Sequence, residues 1–260
     1  MNSLTQSLNT WVTCPTPRPH AKLRLFCFHY AGGGTLSFRN WSAKLPAAIE
    51  VYPIQLPGRE KRWKEPAFTR LEPLIQALTS SILPFLDQPF ACFGHSMGGL
   101  IVFELARHIR RQYGLHPSHL FISGCRAPQI PRIELPIHAL PDAEFLEELR
   151  RLNGTPEAVI ANTELMQLLL PTLRADFTLI ETYIYQNEPP LDCSITVFGG
   201  LDDPDINRDQ LAAWRSQTRA AFSLHMLPGD HFFLHQERSL LLKLLFAEYT
   251  QSIGIKDLQS

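Results

Sequence analysis

The sequence predicts an α/β fold, with a mostly parallel central sheet flanked by helices. Short apolar runs of strand length alternate along the chain with stretches whose apolar residues recur at helical period. Glycine-rich turns directly follow two of these runs, as expected where parallel strands end at a functional site. With 45% hydrophobic residues, the 260-residue chain can bury one large core, and we expect a single domain over residues 1–260.

The composition argues against several classes of function. A formal net charge of −1 without a dominant basic run argues against nucleic acid as a partner. No apolar stretch reaches membrane-spanning length, and the N-terminal segment is polar and contains prolines, so we expect a cytoplasmic protein that makes no membrane contact. The five cysteines include no C-x-x-C pair and the ten histidines lack paired ligand spacing, so we expect no metal site.

The elements are predicted from the N-terminus onwards. Residues 1–20 are expected to form an irregular surface arm that Trp11 holds in place, and Leu23–Phe28 is the first strand. Gly32-Gly33-Gly34 follows it; a phosphate-binding loop is a competing interpretation, but the Lys-Ser/Thr pair of a Walker loop is missing. The further predictions are helices over residues 37–45, 71–86, 211–215 and 239–249, strands over residues 51–55, 120–124, 194–200 and 222–227, and a solvated loop of mixed charge over residues 60–65.

The chain is organised around residues 90–99, where an apolar strand enters a glycine turn and leaves as a helix. This turn carries Ser96, which we interpret as a catalytic nucleophile, with Gly94 and Gly98 allowing a strained backbone and close approach of neighbouring chains. The backbone N–H groups of Ala31 and Met97 are predicted to form an oxyanion hole, next to the positive end of the helix. A glycine turn with an incidental serine is the alternative.

A serine nucleophile needs a base and a carboxylate that orients the base. In a parallel sheet both come from loops after later strands, and the order Ser, Asp, His is met here. We predict His231 as the base. We predict Asp203 as the acid in preference to Asp202 and Asp205, because the proline that follows Asp203 would stiffen its loop.

Three other histidines are given no catalytic role, because one base suffices for acyl transfer. His235 is expected at the surface, and His29 and His95 are expected to line or pack the site.

Residues 136–190 interrupt the alternation of strands and helices. Asp142 is predicted to cap one helix, and a second helical stretch is expected to kink at Pro171. We predict a helical lid over the active site; additional helical packing without a gating role is the alternative.

These motifs together resemble those of type II thioesterases, the stand-alone editing enzymes of nonribosomal peptide and polyketide synthesis. The resemblance spans roughly residues 20–250. It rests on Phe28-His29-Tyr30-Ala31-Gly32-Gly33, Gln55-Leu56-Pro57-Gly58-Arg59-Glu60, Gly94-His95-Ser96-Met97-Gly98-Gly99, Leu173-Arg174-Ala175-Asp176-Phe177, Phe198-Gly199-Gly200 with Asp203-Pro204, and Pro228-Gly229-Asp230-His231-Phe232.

The resemblance implies an α/β-hydrolase fold with a helical lid, and hydrolysis of acyl thioesters on the phosphopantetheine arm of acyl or peptidyl carrier proteins. It implies Ser96, His231 and Asp203 as the triad and no cofactor, since phosphopantetheine belongs to the carrier. We expect a monomer. The basic side chains Arg59, Lys61, Arg62 and Lys64 could meet an acidic carrier, although a solvated charge run is favoured.

Three alternative functions are compatible with the same residues. They are a carboxylesterase or lipase acting on oxygen esters, an acyltransferase that uses the same acyl-enzyme, and a non-catalytic carrier-binding protein on a hydrolase scaffold.

Overall fold

A six-stranded, entirely parallel sheet forms the centre of the molecule. The structure, a computed structural model, describes residues 10–253, with side chains through residue 251. The strands lie in the order β2-β1-β3-β4-β5-β6. They are β1 (Leu23–Phe28), β2 (Ile49–Pro53), β3 (Phe90–His95), β4 (His119–Ser123), β5 (Ser194–Gly200) and β6 (Phe222–Leu227). The sheet predicted from the alternating pattern is therefore confirmed.

Helices connect the strands and cover both faces of the sheet. Within residues 10–253, none of them is both long and apolar enough to cross a membrane. They are α1 (Trp41–Lys44), α2 (Leu71–Ile82), α3 (Met97–Tyr113), α4 (Asp142–Leu152), α5 (Glu157–Ile160), α6 (Thr163–Glu181), α7 (Arg208–Ala212), α8 (Phe233–Gln236) and α9 (Arg238–Ile253), with 3₁₀ turns at Thr35–Phe38, Glu60–Arg62, Leu83–Phe85 and Ala213–Gln217.

The sheet divides the hydrophobic core into two layers, because successive strand residues point to opposite faces. In β3, Phe90 and Cys92 pack with α2 and α3 on one face. Ala91 and Phe93 pack with α1 and α9 on the other. A third, smaller cluster holds α4, α5 and α6 together; its buried members are Phe145, Leu149, Ile160, Met166 and Leu173.

Several predicted boundaries were wrong, each for a local reason. The helix expected over residues 37–45 is interrupted at Asn40, whose φ is 68°. The helix expected over residues 71–86 ends at Ile82 and passes into a 3₁₀ turn around Pro84, which has no N–H to continue the helical ladder. The strand expected over residues 51–55 lies two residues earlier, at Ile49–Pro53, because these residues pair with residues 23–27 of β1. Ile54 instead forms an isolated antiparallel bridge to Val12 of the N-terminal arm.

Asp142 is not the cap of α4. Pro141 occupies the N-cap position, and Asp142 is the first helical residue. Its carboxylate instead accepts a hydrogen bond from Arg174 Nη2 at 2.6 Å, which ties α4 to α6.

The charged loop after β2 is only partly solvated, so the prediction for residues 60–65 was wrong in part. Lys61 and Lys64 are exposed, whereas Arg59 and Arg62 are buried. Arg62 donates to the carbonyl of Gln55 at 3.0 Å, and its guanidinium lies 4.1 Å from the ring centre of Trp11. Trp11 therefore holds the N-terminal arm in place, as predicted; residues 1–9 of that arm lie outside the described residues.

The buried histidine of β4 makes stability depend on pH. Burial lowers the pKa of His119 from its ordinary value of 6.5 to about 4. Below pH 6.5 the unfolded chain therefore binds a proton that the folded chain refuses, and stability is lost as the pH falls. When the pH is lowered from 7 to 5, the free energy of unfolding should fall in both proteins. We expect this fall to be about 2 kcal/mol smaller in His119→Gln than in the wild type.

Urea denaturation at the two pH values measures this difference. His116→Gln is the matched control, because His116 is exposed and its replacement should leave the wild-type pH dependence intact. Equal pH dependence in His119→Gln and the wild type would contradict the prediction.

Candidate active site

Ser96 lies at a strained turn between β3 and α3. Its φ of 52° and ψ of −114° fall in a region that non-glycine residues rarely adopt. The Ser96 N–H donates to the carbonyl of Ser123 in the neighbouring strand at 2.7 Å, which holds the turn against the sheet. The side chain is thereby presented at the carboxyl end of the sheet, at the N-terminus of α3.

The glycines on either side of Ser96 are required by close backbone packing. A Cβ atom added at Gly94 would lie 2.1 Å from the carbonyl oxygen of Gly98. A Cβ atom added at Gly98 would lie 2.3 Å from the carbonyl oxygen of Phe28 at the end of β1. The Gly-x-Ser-x-Gly pattern thus reflects helix α3 starting in direct contact with two strands.

His231 and Asp203 form a hydrogen-bonded pair beside this turn. His231 Nδ1 lies 2.7 Å from Asp203 Oδ2, and the ring nitrogen must be the donor because the carboxylate can only accept. Asp203 Oδ1 also accepts from the backbone N–H groups of Asp205 at 3.0 Å and Ile206 at 3.1 Å. With its side chain 1% exposed, Asp203 is a buried carboxylate with its acceptor sites satisfied.

The two other aspartates considered for the acid lie elsewhere. Asp202 is exposed, and its backbone N–H donates to Gly229. Asp205 forms an ion pair with Arg151 at 2.8 Å. Of the three, it is Asp203 that contacts His231.

A cavity of about 830 Å³ lies between the carboxyl end of the sheet and the inserted helices. Ser96 and His231 both line it, although no hydrogen bond joins their side chains within residues 10–253. Such bonds often tighten only when substrate is bound. The inserted helices contribute apolar side chains to the wall, among them Leu149, Leu173, Phe177 and Ile180.

The residues predicted for the oxyanion hole also line this cavity. Met97 is the first residue of α3, so its N–H has no partner within the helix. Ala31 lies in the loop after β1, opposite that helix end. In the part of the chain described here, neither N–H donates a hydrogen bond.

The three other histidines lie where the sequence suggested. His95 is fully buried, and its Nδ1 is hydrogen-bonded to Ser123 Oγ at 2.9 Å. Burial and the neighbouring His231 hold the pKa of His95 well below its ordinary value. Burial and the charge of Arg59 lower the pKa of His29 to about 4. His235 is exposed, and its Nε2 lies 3.1 Å from the hydroxyl of Tyr30.

One buried ion pair near the site was not foreseen. Arg59 and Asp176 form a bidentate pair with N···O distances of 2.7 and 2.8 Å. Asp176 Oδ2 also accepts from the Gly32 N–H at 2.8 Å. Both charged residues belong to motifs noted in the sequence, yet neither motif indicates that the other is its partner.

Comparisons with known proteins place the chain in a family. The thioesterase domain family matches residues 23–248. The protein is 51% identical over 242 residues to LgrE of Brevibacillus parabrevis, named a linear gramicidin dehydrogenase, covering 92% of each chain. It is 48% identical over 238 residues to the gramicidin S biosynthesis protein GrsT of Aneurinibacillus migulanus, covering 92% of this chain and 93% of GrsT.

The solved structures agree with the sequence comparison. The type II thioesterase BorB from the borrelidin biosynthetic cluster superposes with a TM-score of 0.83 at 34% identity, over 92% of this chain and 97% of BorB. The parallel sheet, the serine turn and the order of the strand-end loops are those of the α/β-hydrolase fold. The chain belongs to the thioesterase family, and type II thioesterases are among its structural relatives.

Proposed function

We propose that this protein hydrolyses acyl thioesters held on the phosphopantetheine arm of acyl or peptidyl carrier proteins, and so frees synthases from mispriming or stalled acyl groups. The observation that carries the proposal is the hydrogen bond between Asp203 and His231, because His231 lines the same apolar cavity as Ser96 in a chain of the thioesterase family. The naming of GrsT as a gramicidin S biosynthesis protein, and of BorB as a type II thioesterase of the borrelidin biosynthetic cluster, supports this class of partner.

The proposed reaction has two steps. His231 takes the proton of Ser96 Oγ as the oxygen attacks the thioester carbonyl, and the N–H groups of Ala31 and Met97 stabilise the oxyanion. The carbon–sulfur bond breaks, and the proton passes from His231 to the leaving thiol. Water then gives a proton to His231 and attacks the acyl-enzyme carbonyl. The bond between the carbonyl carbon and Ser96 Oγ breaks, His231 returns the proton to Oγ, and the acid is released. Asp203 orients the His231 ring throughout.

The phosphopantetheine arm belongs to the carrier protein, so the proposed reaction uses no cofactor of its own. Thiolate is a good leaving group, and selection among acyl groups would then rest on access to the cavity. The helices α4 and α6 contribute residues to the wall of that cavity, which supports the proposal that residues 136–190 act as a lid.

The name of LgrE raises hydride transfer as a second activity. A dinucleotide-binding loop after the first strand would carry the pattern G-x-G-x-x-G. Counting from Gly32 and Gly34, the third glycine position is occupied by Ser37. The loop after β1 therefore lacks this fingerprint, whereas the serine, histidine and aspartate support hydrolysis.

The choice of Asp203 as the acid can be tested by substitution. Asp203→Asn keeps the shape of the side chain but removes the charge that stabilises imidazolium, so we expect kcat to fall by about 10⁴. The measurement is steady-state hydrolysis of an acyl-pantetheine thioester. Asp202→Asn is the matched control, because Asp202 is the adjacent exposed aspartate, and its kcat should stay within about twofold of the wild type. Similar losses in both variants would contradict the assignment.

The substrate class can be tested by mass spectrometry of a purified carrier protein bearing an acetyl or short acyl group. We expect the wild type to convert it to the free holo-carrier, and Ser96→Ala to leave it acylated, because the acyl-enzyme cannot form. If neither protein removes the acyl group while the wild type cleaves simple oxygen esters, the esterase alternative replaces the proposal. Transfer of the acyl group to an added alcohol or amine in preference to water would identify an acyltransferase.

A further inference from the structure

The loop after β1 presents two consecutive peptide groups whose orientation is fixed by hydrogen bonds. The carbonyl of Tyr30 accepts from the Gly33 N–H at 3.0 Å and from His29 Nδ1 at 2.8 Å. This carbonyl shares a planar peptide group with the Ala31 N–H, so holding the oxygen also sets the direction of that N–H. The next peptide group carries the Gly32 N–H, which donates to Asp176 at 2.8 Å.

The acceptor for Gly32 comes from the inserted helix α6 rather than from the sheet. Arg59 holds the Asp176 carboxylate by two hydrogen bonds, and the side chains of the pair are only 8% and 3% exposed. Arg59 is itself anchored by its Nε, which donates to the carbonyl of Pro57 at 3.1 Å. The carboxylate therefore has one orientation, set by donors on two segments of the chain, the loops after β1 and β2.

Helix α6 lies directly on this loop. A Cβ atom added at Gly32 would be 2.5 Å from Leu173 Cδ2, and Gly32 has a φ of 74°. One turn before Asp176, Thr172 Oγ1 donates to the carbonyl of Gly58 at 2.7 Å. The helix is thus attached to two neighbouring loops by separate contacts, of which the Asp176 contact reaches the loop that carries Ala31.

We propose that Asp176 is a positioning residue for the oxyanion hole, orienting the Ala31 N–H through Gly32 with Arg59 holding its carboxylate. The inference rests on the proposed function of Ser96 and Ala31. It means that α6, which forms part of the cavity wall, also determines whether the hole is assembled. An acyl group too large for the cavity would displace α6 and carry Asp176 away from Gly32. The oxyanion formed from that acyl group would then be less well stabilised.

The test compares Asp176→Asn with Thr172→Val in steady-state hydrolysis of an acyl-pantetheine thioester. Loss of one oxyanion donor costs about 10²–10³ in kcat, so misorientation of one donor should lower kcat by about 10-fold to 100-fold with KM within about twofold. Thr172→Val removes one hydrogen bond from the same helix without touching the Ala31 loop, and its kcat should stay within about twofold of the wild type.

A second readout separates positioning from general damage. A trifluoromethyl ketone analogue adds to Ser96 Oγ: the oxygen–carbon bond forms, the serine proton moves to His231, and the ketone oxygen becomes an oxyanion. A thioether analogue has no carbonyl at that position and reports only binding of the arm and chain. In Asp176→Asn the inhibition constant of the ketone should rise by the factor by which kcat/KM falls, while that of the thioether changes less than about twofold.

The outcomes distinguish this inference from the proposed function. Equal weakening of both analogues, or a loss of kcat no larger than in Thr172→Val, would overturn the role of Asp176. If Asp176→Asn does not fold, Arg59→Lys tests the same contact with its charge retained, and a smaller change in the same direction is expected. A wild type that binds the ketone but hydrolyses no acyl-pantetheine would instead overturn the substrate assignment.

Discussion

The close approach of α3 to the ends of β1 and β3 is the constraint on which the rest of the site depends. A Cβ atom at Gly98 would lie 2.3 Å from the Phe28 carbonyl oxygen, so the helix can begin there only because the residue is glycine. Ser96 precedes that start point with a positive φ of 52°, and within residues 10–253 the N–H of Met97 donates no hydrogen bond at the positive end of the helix. One steric requirement thus places the serine at the cavity together with one donor of the proposed oxyanion hole.

The two buried carboxylates of the site, Asp203 and Asp176, are stabilised by different kinds of partner. Asp203 accepts two backbone N–H groups and the His231 ring, so its negative charge is stabilised without a cationic partner. In the proposed reaction, this carboxylate would stabilise the positive imidazolium of His231. Asp176 is paired with Arg59, and its charge is already balanced. Removing one partner of such a buried pair costs about 3–5 kcal/mol, because the other charge is then left buried without a partner.

Two of the inserted helices line the cavity, and one of these also contacts the loop that carries Ala31. The inserted helices form a small hydrophobic cluster of their own, and α6 contributes both cavity wall and the acceptor for Gly32.

Some charged residues expected to be solvated have structural roles instead. Arg62 is an example: its guanidinium packs on Trp11 and donates to Gln55 and Glu65, which places it inside the molecule rather than at a carrier-binding surface.

The fold class, the turn that carries Ser96 and the position of His231 in a loop at a strand end follow from local patterns in the sequence. Strand-length apolar runs, the spacing of Gly94, Ser96 and Gly98, and the order of the strand-end loops are all visible in one dimension. The choice of Asp203 over Asp202 followed from a proline beside it, and only the structure places that side chain against His231. The bond between Arg59 and Asp176 joins residues 117 positions apart, and neither carries a local signal for the other. The tertiary structure alone decided this contact, since a long-range ion pair exists only after the sheet has brought α6 over the loops that follow β1 and β2.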